Sequence, residues 1–246
     1  MPMNWKTAVV NSSVKALFRV FGLNAVRLHN VPTETFAGLR NRSIGTVIDC
    51  GANEGQFARY ISRFFPKAAL YCFEPLEGPF KALSAWAATQ RGRVKCFNVA
   101  LGEAESMAVM HHHLDHNTSS SLLAASEHEL KLFPETARQS DVTVPVTTLD
   151  VVLKSNFDDL EPEILLKLDV QGYEDRVLRG AEQLLDRVRI CLLEVDVDPL
   201  YDAQAVFKDL VLLLDRHGLR YAGNLDQSCA EDGRIMWLDA IFVRDQ

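Results

Sequence analysis

From Ile44 onward, short and nearly continuous apolar runs alternate with stretches whose apolar residues recur every three or four positions. That alternation is the sequence form of a parallel sheet covered on both faces by helices. The runs Thr46 to Cys50, Ala69 to Glu74, Val94 to Leu101, Ile164 to Val170 and Val188 to Val195 predict five strands. Between them, Phe57, Tyr60, Ile61, Phe64 and Phe65 mark one helical face, which Pro66 stops. Phe80, Leu83 and Ala87 mark a second face, and Val177, Leu178, Ala181, Leu184 and Leu185 a third. A further helix over about 203–217 ends at Gly218, as helices commonly do. Two last strands, about 219–223 and 236–243, are close enough in sequence to pair antiparallel. Thr147 followed by Asp150 resembles a helix start. Between Gly102 and about Val146 the periodicity lapses for longer than a usual connection, which reads as an insertion (103–146) with a functional role or as a mobile lid.

Residues 1–43 follow another pattern. Lys6, Lys15, Arg19 and Arg27 occur with no acid before Glu34, and Val10, Val14, Leu17, Phe18 and Phe21 recur at helical spacing. This predicts a basic amphipathic helix, an N-terminal extension that covers the main domain or docks on a membrane surface or a partner. It has neither the continuous apolar core nor the small-residue cleavage site of a signal peptide, and no apolar stretch approaches the ~18 residues that span a bilayer. Residues 44–246 are then the main domain.

Composition narrows the function. With 246 residues, 48% of them apolar and 24% charged, the chain fits an ordinary globular fold with a sizeable core. A net charge of −7 provides no excess positive field for a nucleic-acid backbone. Cys50, Cys72, Cys96, Cys191 and Cys229 form no CxxC pair and sit mostly inside apolar runs. They read as reduced core thiols in a cytoplasmic protein, not as a disulfide framework or a zinc site.

The first strand delivers Asp49, then Gly51 and Gly55, at the point where a helix begins, and the second ends in Glu74. In open α/β sheets the ligand lies beyond the carboxyl ends of the strands, and an acid ending the second strand accepts the hydroxyls of an adenosine ribose. Glu74 follows Gly51 by roughly twenty residues, as in dinucleotide-binding folds. The dinucleotide fingerprint, however, would need glycines where Asn53 and Gln56 stand. The run Asp49-x-Gly51-x-Asn53-x-Gly55 instead looks like the motif I turn of S-adenosylmethionine-dependent methyltransferases, whose cofactor has no phosphate. Asp49, Gly51, Asn53, Gly55, Gln56 and Glu74 are therefore candidate cofactor residues, together with Asn98, Ala100 and Leu101 at the end of the third strand, near the adenine.

Several further stretches bring the chain close to one family. Val47-Ile48-Asp49-Cys50-Gly51-Ala52-Asn53-Glu54-Gly55-Gln56-Phe57, Glu74-Pro75, Asn98-Val99-Ala100-Leu101-Gly102, Ser120-Ser121-Leu122 and Thr148-Leu149-Asp150 occur in order. They are followed by Leu166-Lys167-Leu168-Asp169-Val170-Gln171-Gly172-Tyr173-Glu174, Val177-Leu178-Arg179-Gly180-Ala181 and Leu193-Glu194. With these the chain resembles the FkbM family of methyltransferases from about residue 44 to the C-terminus. Many family members have Glu where this chain has Gln171, so a role assigned to that acid does not transfer. The resemblance implies a seven-stranded, mostly parallel, doubly wound sheet of the Rossmann-like class I methyltransferase type. It also implies S-adenosylmethionine as cofactor and methylation of a hydroxyl oxygen on a sugar, glycan or polyketide-type natural product.

Lys167 and Asp169 are two apart on the fourth strand, hence on one face, with Asp169 at its carboxyl end. Methyl transfer from an activated sulfonium carbon needs an aligned acceptor oxygen and a group to take its proton. Asp169 is the candidate base, Lys167 its orienter, and Glu194 a candidate to hold a sugar hydroxyl. The alternative roles are a helix cap for Asp169, an ion pair for Lys167 and a plain surface acid at Glu194. His111, His112, His113 and His116 alternate faces along a strand, which argues against one shared metal ion, and no metal is expected. One of them could serve as a base instead. His113, Asn117, Ser120 and Ser121 are candidate substrate contacts, or a polar strand and a solvated turn. Gly180, inside a helical pattern, reads as close packing. The expected partner is a small-molecule or glycan acceptor. The alternatives are a nicotinamide-dependent oxidoreductase and a non-catalytic module that binds the cofactor or a glycan.

Overall fold

Thr46 to Cys50 is buried at every position, as a strand in the middle of a doubly covered parallel sheet must be. The computed structural model describes residues 16–21 and 30–245. Its strands in chain order are β1 (Thr46–Cys50), β2 (Ala69–Phe73), β3 (Val94–Phe97), β4 (Ala100–Leu101) and β5 (Ser106–His113). They continue with β6 (Gln139–Thr147), β7 (Ile164–Leu168), β8 (Val188–Asp196), β9 (Leu219–Cys229) and β10 (Ile235–Arg244). Seven form one sheet in the order β3-β2-β1-β7-β8-β10-β9, parallel except for β10, which runs antiparallel to β8 and β9. The chain moves outward from β1 to β3 and returns to place β7 beside β1. That reversal opens a crevice at the carboxyl ends of β1 and β7.

Alternate residues of β1 feed two cores. Ile48 and Cys50 face Leu166, Leu168, Leu178, Leu184 and Phe242, whereas Val47 belongs with Leu70, Leu83, Leu165 and Ile190. The second core is covered by α1 (Gln56–Ile61) and α2 (Glu77–Ala88). The first is covered by α3 (Leu149–Leu153), α4 (Glu174–Arg179), α5 (Glu182–Leu185) and α6 (Phe207–Arg216).

Three expectations need correction, and a fourth gains detail. The single strand expected over Val94 to Leu101 is two: β3 stays in the main sheet, and β4 joins a second, three-stranded sheet of order β4-β6-β5. The break falls at Asn98, whose side-chain amide donates to the carbonyls of Glu74 and Pro75, both at 2.9 Å. The stretch over 103–146 holds two strands, β5 and β6, that pair antiparallel across residues 114–138. Exposed Met107 and Val109 on the outer face of this pair hide the usual alternation. The helix start at Thr147 belongs to Thr148, whose hydroxyl accepts from the Val151 N–H at 3.1 Å. Asp150 instead caps α5, accepting from the N–H groups of Gln183 (2.9 Å) and Leu184 (3.0 Å). Finally, the helical face from Val177 to Leu185 is broken into α4 and α5 at Gly180, where a Cβ would lie 2.0 Å from the Gly102 carbonyl oxygen. Gly180 thus marks close packing, as expected.

The expected N-terminal amphipathic helix falls largely on residues 1–15 and 22–29, outside the described residues. Residues 16–20 are helical, and Leu17, Phe18, Val20 and Phe21 are exposed. Further along, Phe36 is fully buried, packing against Phe64 and Phe65 with ring centroids 5.6 Å apart in each case. Among the described residues no helix is long and apolar enough to cross a membrane.

Candidate active site at the carboxyl ends of the strands

The crevice holds a cavity of about 300 Å³, at the lower end of the size of small-molecule sites. Its floor is the turn after β1. Gly51 adopts φ +76°, and a Cβ there would lie 1.9 Å from the carbonyl oxygen of Asp169. Only glycine lets the ends of β1 and β7 approach so closely. Asn53, also left-handed at φ 45°, turns its backbone N–H toward Glu74 Oε2 at 2.9 Å. The Leu76 N–H donates to Oε1 of the same carboxylate at 2.8 Å. Burial pushes Glu74 up to about 7 against these two bonds. Each oxygen keeps a lone-pair site for a further donor. Beside Glu74 lie Val99, Ala100, Leu101, Leu122 and Tyr173, an apolar wall suited to a flat ring.

At the other end of the cavity stands a charged cluster. Lys167 Nζ lies 3.0 Å from Asp169 Oδ2, 3.4 Å from Asp49 Oδ1 and 3.3 Å from the Gly51 carbonyl oxygen, and it sits over the Phe57 ring at 5.6 Å. Burial alone would lower the Lys167 ammonium, but the carboxylates of Asp169 and Asp49 overcome this and raise it, so it stays charged. Asp49 is fully buried and held by Coulomb attraction to that ammonium, with no directional hydrogen bond to either oxygen. Burial raises its pKa more than Lys167 lowers it.

Gln171, at φ 54°, ties the cluster together. Its amide nitrogen donates to Asp169 Oδ1 at 2.7 Å and to Glu194 Oε1 at 3.1 Å. Its amide oxygen lies 2.8 Å from the Tyr201 hydroxyl, which is also 2.9 Å from the Ser119 carbonyl oxygen. Ser121 Oγ donates to the Gln171 carbonyl at 2.6 Å, so the segment between β5 and β6 is pinned onto the β7 turn. Asn117, Thr118 and Ser120 of that segment line the cavity, and Asn53 Nδ2 reaches Asn117 Oδ1 at 3.4 Å. Asp239 on β10 completes the acidic side, pushed up to about 7 by burial and by Asp169.

Of the residues singled out in the sequence, Gly51, Asn53, Gln56, Glu74, Ala100, Leu101, Asn117, Ser120, Lys167, Asp169 and Glu194 line this one cavity. Five do not. Asp49 lies beneath it against Lys167, and Gly55 ends the turn into α1, facing Leu83 and Trp86. Asn98 is outside the cavity lining and braces the loop that carries Glu74. Ser121 is spent on Gln171. His113 is fully buried with neither ring nitrogen bonded, and burial lowers its pKa. His111 pairs with Asp141 at 2.9 Å, and His116 lies 2.7 Å from Ser119 Oγ, both away from the cavity. Among the described residues no group of three or more His, Cys, Asp or Glu side chains is placed to hold a metal ion.

Gln171, Tyr173, Tyr201 and Asp239 were not singled out as site residues. The one signal for Asp239 is a lone acid inside the apolar run Leu238 to Val243, costly unless the site uses it.

A family model described as the methyltransferase FkbM domain matches residues 49–221. The chain is 26% identical to the 31-O-demethyl-FK506 methyltransferase FkbM of Streptomyces tacrolimicus over 211 residues, covering 77% of this chain and 78% of that protein. It is also 26% identical to the 2-O-methyltransferase NoeI of Sinorhizobium fredii over 174 residues, covering 68% of this chain and 70% of the other. Among solved structures, methyltransferase FkbM from Methylobacillus flagellatus superimposes with a TM-score of 0.50 at 14% identity and shares the fold. That match covers 88% of this chain, which spans only 49% of the length of the solved chain. With the family model matching well over half of its length, this chain belongs to the FkbM methyltransferase domain family.

Proposed function

We propose that the chain transfers a methyl group from S-adenosylmethionine to a hydroxyl oxygen of a sugar, glycan or hydroxylated natural product. The observation that carries this reading is the charge balance of one cavity, in which Glu74, Asp169, Glu194 and Asp239 accompany a single ammonium, Lys167. Such a site favours a ligand that brings positive charge. When bound, S-adenosylmethionine supplies a methyl group already activated on a sulfonium sulfur. The remaining tasks fall to the protein: to align the acceptor, exclude water and receive a proton.

Glu74 is suited to the ribose hydroxyls, since two hydroxyl donors would compensate the cost of ionising it in a buried place. The turn of Gly51, Asn53 and Gln56 would face the amino acid part, and Ala100 and Leu101 the adenine. Lys167 holds Asp169 in one rotamer beside the cavity. Asn117, Thr118, Ser120 and Gln171 offer neutral donors and acceptors, which match hydroxyl-rich acceptors better than apolar ones. The oxygen assignment draws support from the relatives named as a 2-O-methyltransferase and as a 31-O-demethyl-FK506 methyltransferase. All five cysteines are free, which fits a reducing, cytoplasmic setting. Residues 1–43, with Leu17, Phe18, Val20 and Phe21 exposed, form in this reading the extension that covers the domain or docks on a membrane surface or partner.

The test is methyl transfer from radiolabelled S-adenosylmethionine to a panel of sugars, nucleotide sugars, glycans and hydroxylated natural products. Label in at least one of them, dependent on active protein, is the expected result. Tight cofactor binding with no transfer to any acceptor would favour a recognition module instead.

A further inference from the structure

Asp169 stands where a base is expected, yet each of its oxygens already accepts a hydrogen bond. Oδ2 accepts from the Lys167 ammonium at 3.0 Å and Oδ1 from the Gln171 amide at 2.7 Å. A proton delivered there would weaken both contacts, one of them charge-assisted. Two other carboxyls face the same cavity with fewer donors. Glu194 and Asp239 are directly opposite each other in the antiparallel register of β8 and β10, so their side chains leave the same face of the sheet, with Cβ atoms about 5 Å apart. Both line the cavity. Glu194 receives one amide hydrogen, from Gln171, and among the described residues no hydrogen bond reaches the Asp239 carboxyl.

Resting on the reading of the chain as an O-methyltransferase, we propose that Glu194 receives the proton of the acceptor hydroxyl, with Asp239 the positioning residue that keeps it basic, while Lys167 and Asp169 orient the acceptor. As the oxygen–carbon bond forms, the carbon–sulfur bond breaks and its electron pair stays on sulfur. The hydroxyl proton passes to a Glu194 carboxylate oxygen and from there to solvent. Two carboxyls facing each other ionise with difficulty, because the second charge is repelled by the first. Burial, then Asp169, Asp239 and Asp196, push Glu194 well up against the single opposing charge of Lys167. Asp239 itself is faced by Asp169, Asp226 and Lys167. A base of raised proton affinity suits the removal of a proton from a neutral hydroxyl.

The experiment compares the full chain with Glu194→Gln, Glu194→Asp, Asp239→Asn and Asp169→Asn. Far-ultraviolet circular dichroism checks folding, calorimetry measures S-adenosylmethionine affinity, and pH–rate profiles follow turnover. Glu194→Gln should lower kcat ~10²- to 10³-fold with cofactor affinity nearly unchanged, and Glu194→Asp should recover part of the rate. Asp239→Asn should keep turnover at alkaline pH and move the acid limb of the profile to lower pH, which a merely structural role would not do. Infrared difference spectra of the protein alone should show a protonated-carboxyl band that persists near neutral pH in the wild type, vanishes in Glu194→Gln and titrates lower in Asp239→Asn. A folded Glu194→Gln with near-normal turnover, or an unmoved acid limb in Asp239→Asn, would overturn the assignment. If the wild type methylates no acceptor, the proposed function fails, and the infrared titration still decides whether the carboxyl pair exists. Should Glu194→Gln not fold, Glu194→Asp and the Asp239→Asn profile carry the decision.

Discussion

Asn53 and Glu74 hold each other across the mouth of the sheet: the Asn53 N–H donates to Glu74 Oε2 at 2.9 Å, which ties the turn after β1 to the end of β2. The left-handed backbone of Asn53, at φ 45°, sits in the turn that aims that N–H. A side chain with one remaining lone-pair site on each oxygen is thereby fixed at the cavity wall.

Glu74→Ala is expected to weaken S-adenosylmethionine binding about ten- to a hundredfold, or ~1.5 to 3 kcal/mol. The pH dependence follows from its carboxyl, pushed up to about 7 by burial in the free protein. Ribose hydroxyls donate to the ionised form, so binding releases a proton and affinity should rise as pH increases from 6 to 8. Calorimetry at both pH values checks this. Unchanged affinity in a folded Glu74→Ala, or a Glu74→Gln variant with the same pH slope as wild type, would remove Glu74 from the cofactor site.

Gly51→Ala places a methyl group where 1.9 Å separates it from the Asp169 carbonyl, at a φ of +76° that side chains rarely adopt. Neither the backbone carbonyl nor the parallel pairing of β1 with β7 can yield cheaply. Overpacking and left-handed strain together should cost about 2 to 5 kcal/mol. Differential scanning calorimetry should therefore record a thermal midpoint lower by at least several degrees, and a variant as stable as wild type would show that the turn is built differently.

Eleven of the residues that line the cavity are legible in the sequence. β1, β2, β7 and β8 appear as continuous apolar runs, and the acid and glycines at their carboxyl ends follow from the topology that those runs impose. What stayed hidden depends on partners distant in sequence. That the Asn98 amide donates to the carbonyls of Glu74 and Pro75 is visible only in the fold. The β5–β6 pair is masked because its outer face carries Met107 and Val109 in place of polar residues. Asp239 stands out locally only as an acid in an apolar run, and its place in the site comes from its register with Glu194.

Glu174 offers a stability test that is independent of ligands. It is buried, its Oε1 accepts from the N–H groups of Val170 (3.0 Å) and Gly172 (3.3 Å), and burial pushes it up to about 8. A carboxyl whose pKa is raised on folding favours the folded state below its unfolded value of about 4.5, and that contribution is lost as pH rises toward 8. Glu174→Gln keeps an oxygen acceptor for both N–H groups and cannot ionise. The variant should therefore gain stability relative to wild type between pH 5 and pH 8, by about 1 kcal/mol or more, or ~2 to 4 °C in thermal midpoint. A constant difference across that range would mean that Glu174 does not titrate there.

The central claim is the bond that is made. With S-adenosylmethionine carrying a carbon-13 methyl group and an acceptor from the hydroxylated panel, heteronuclear NMR of the purified product identifies the atom to which the methyl is attached. The account predicts a methyl carbon bonded to oxygen, formed by the wild type and lost with Glu74→Ala at low cofactor concentration. A methyl on nitrogen or carbon, or a product formed equally well without the protein, would contradict it.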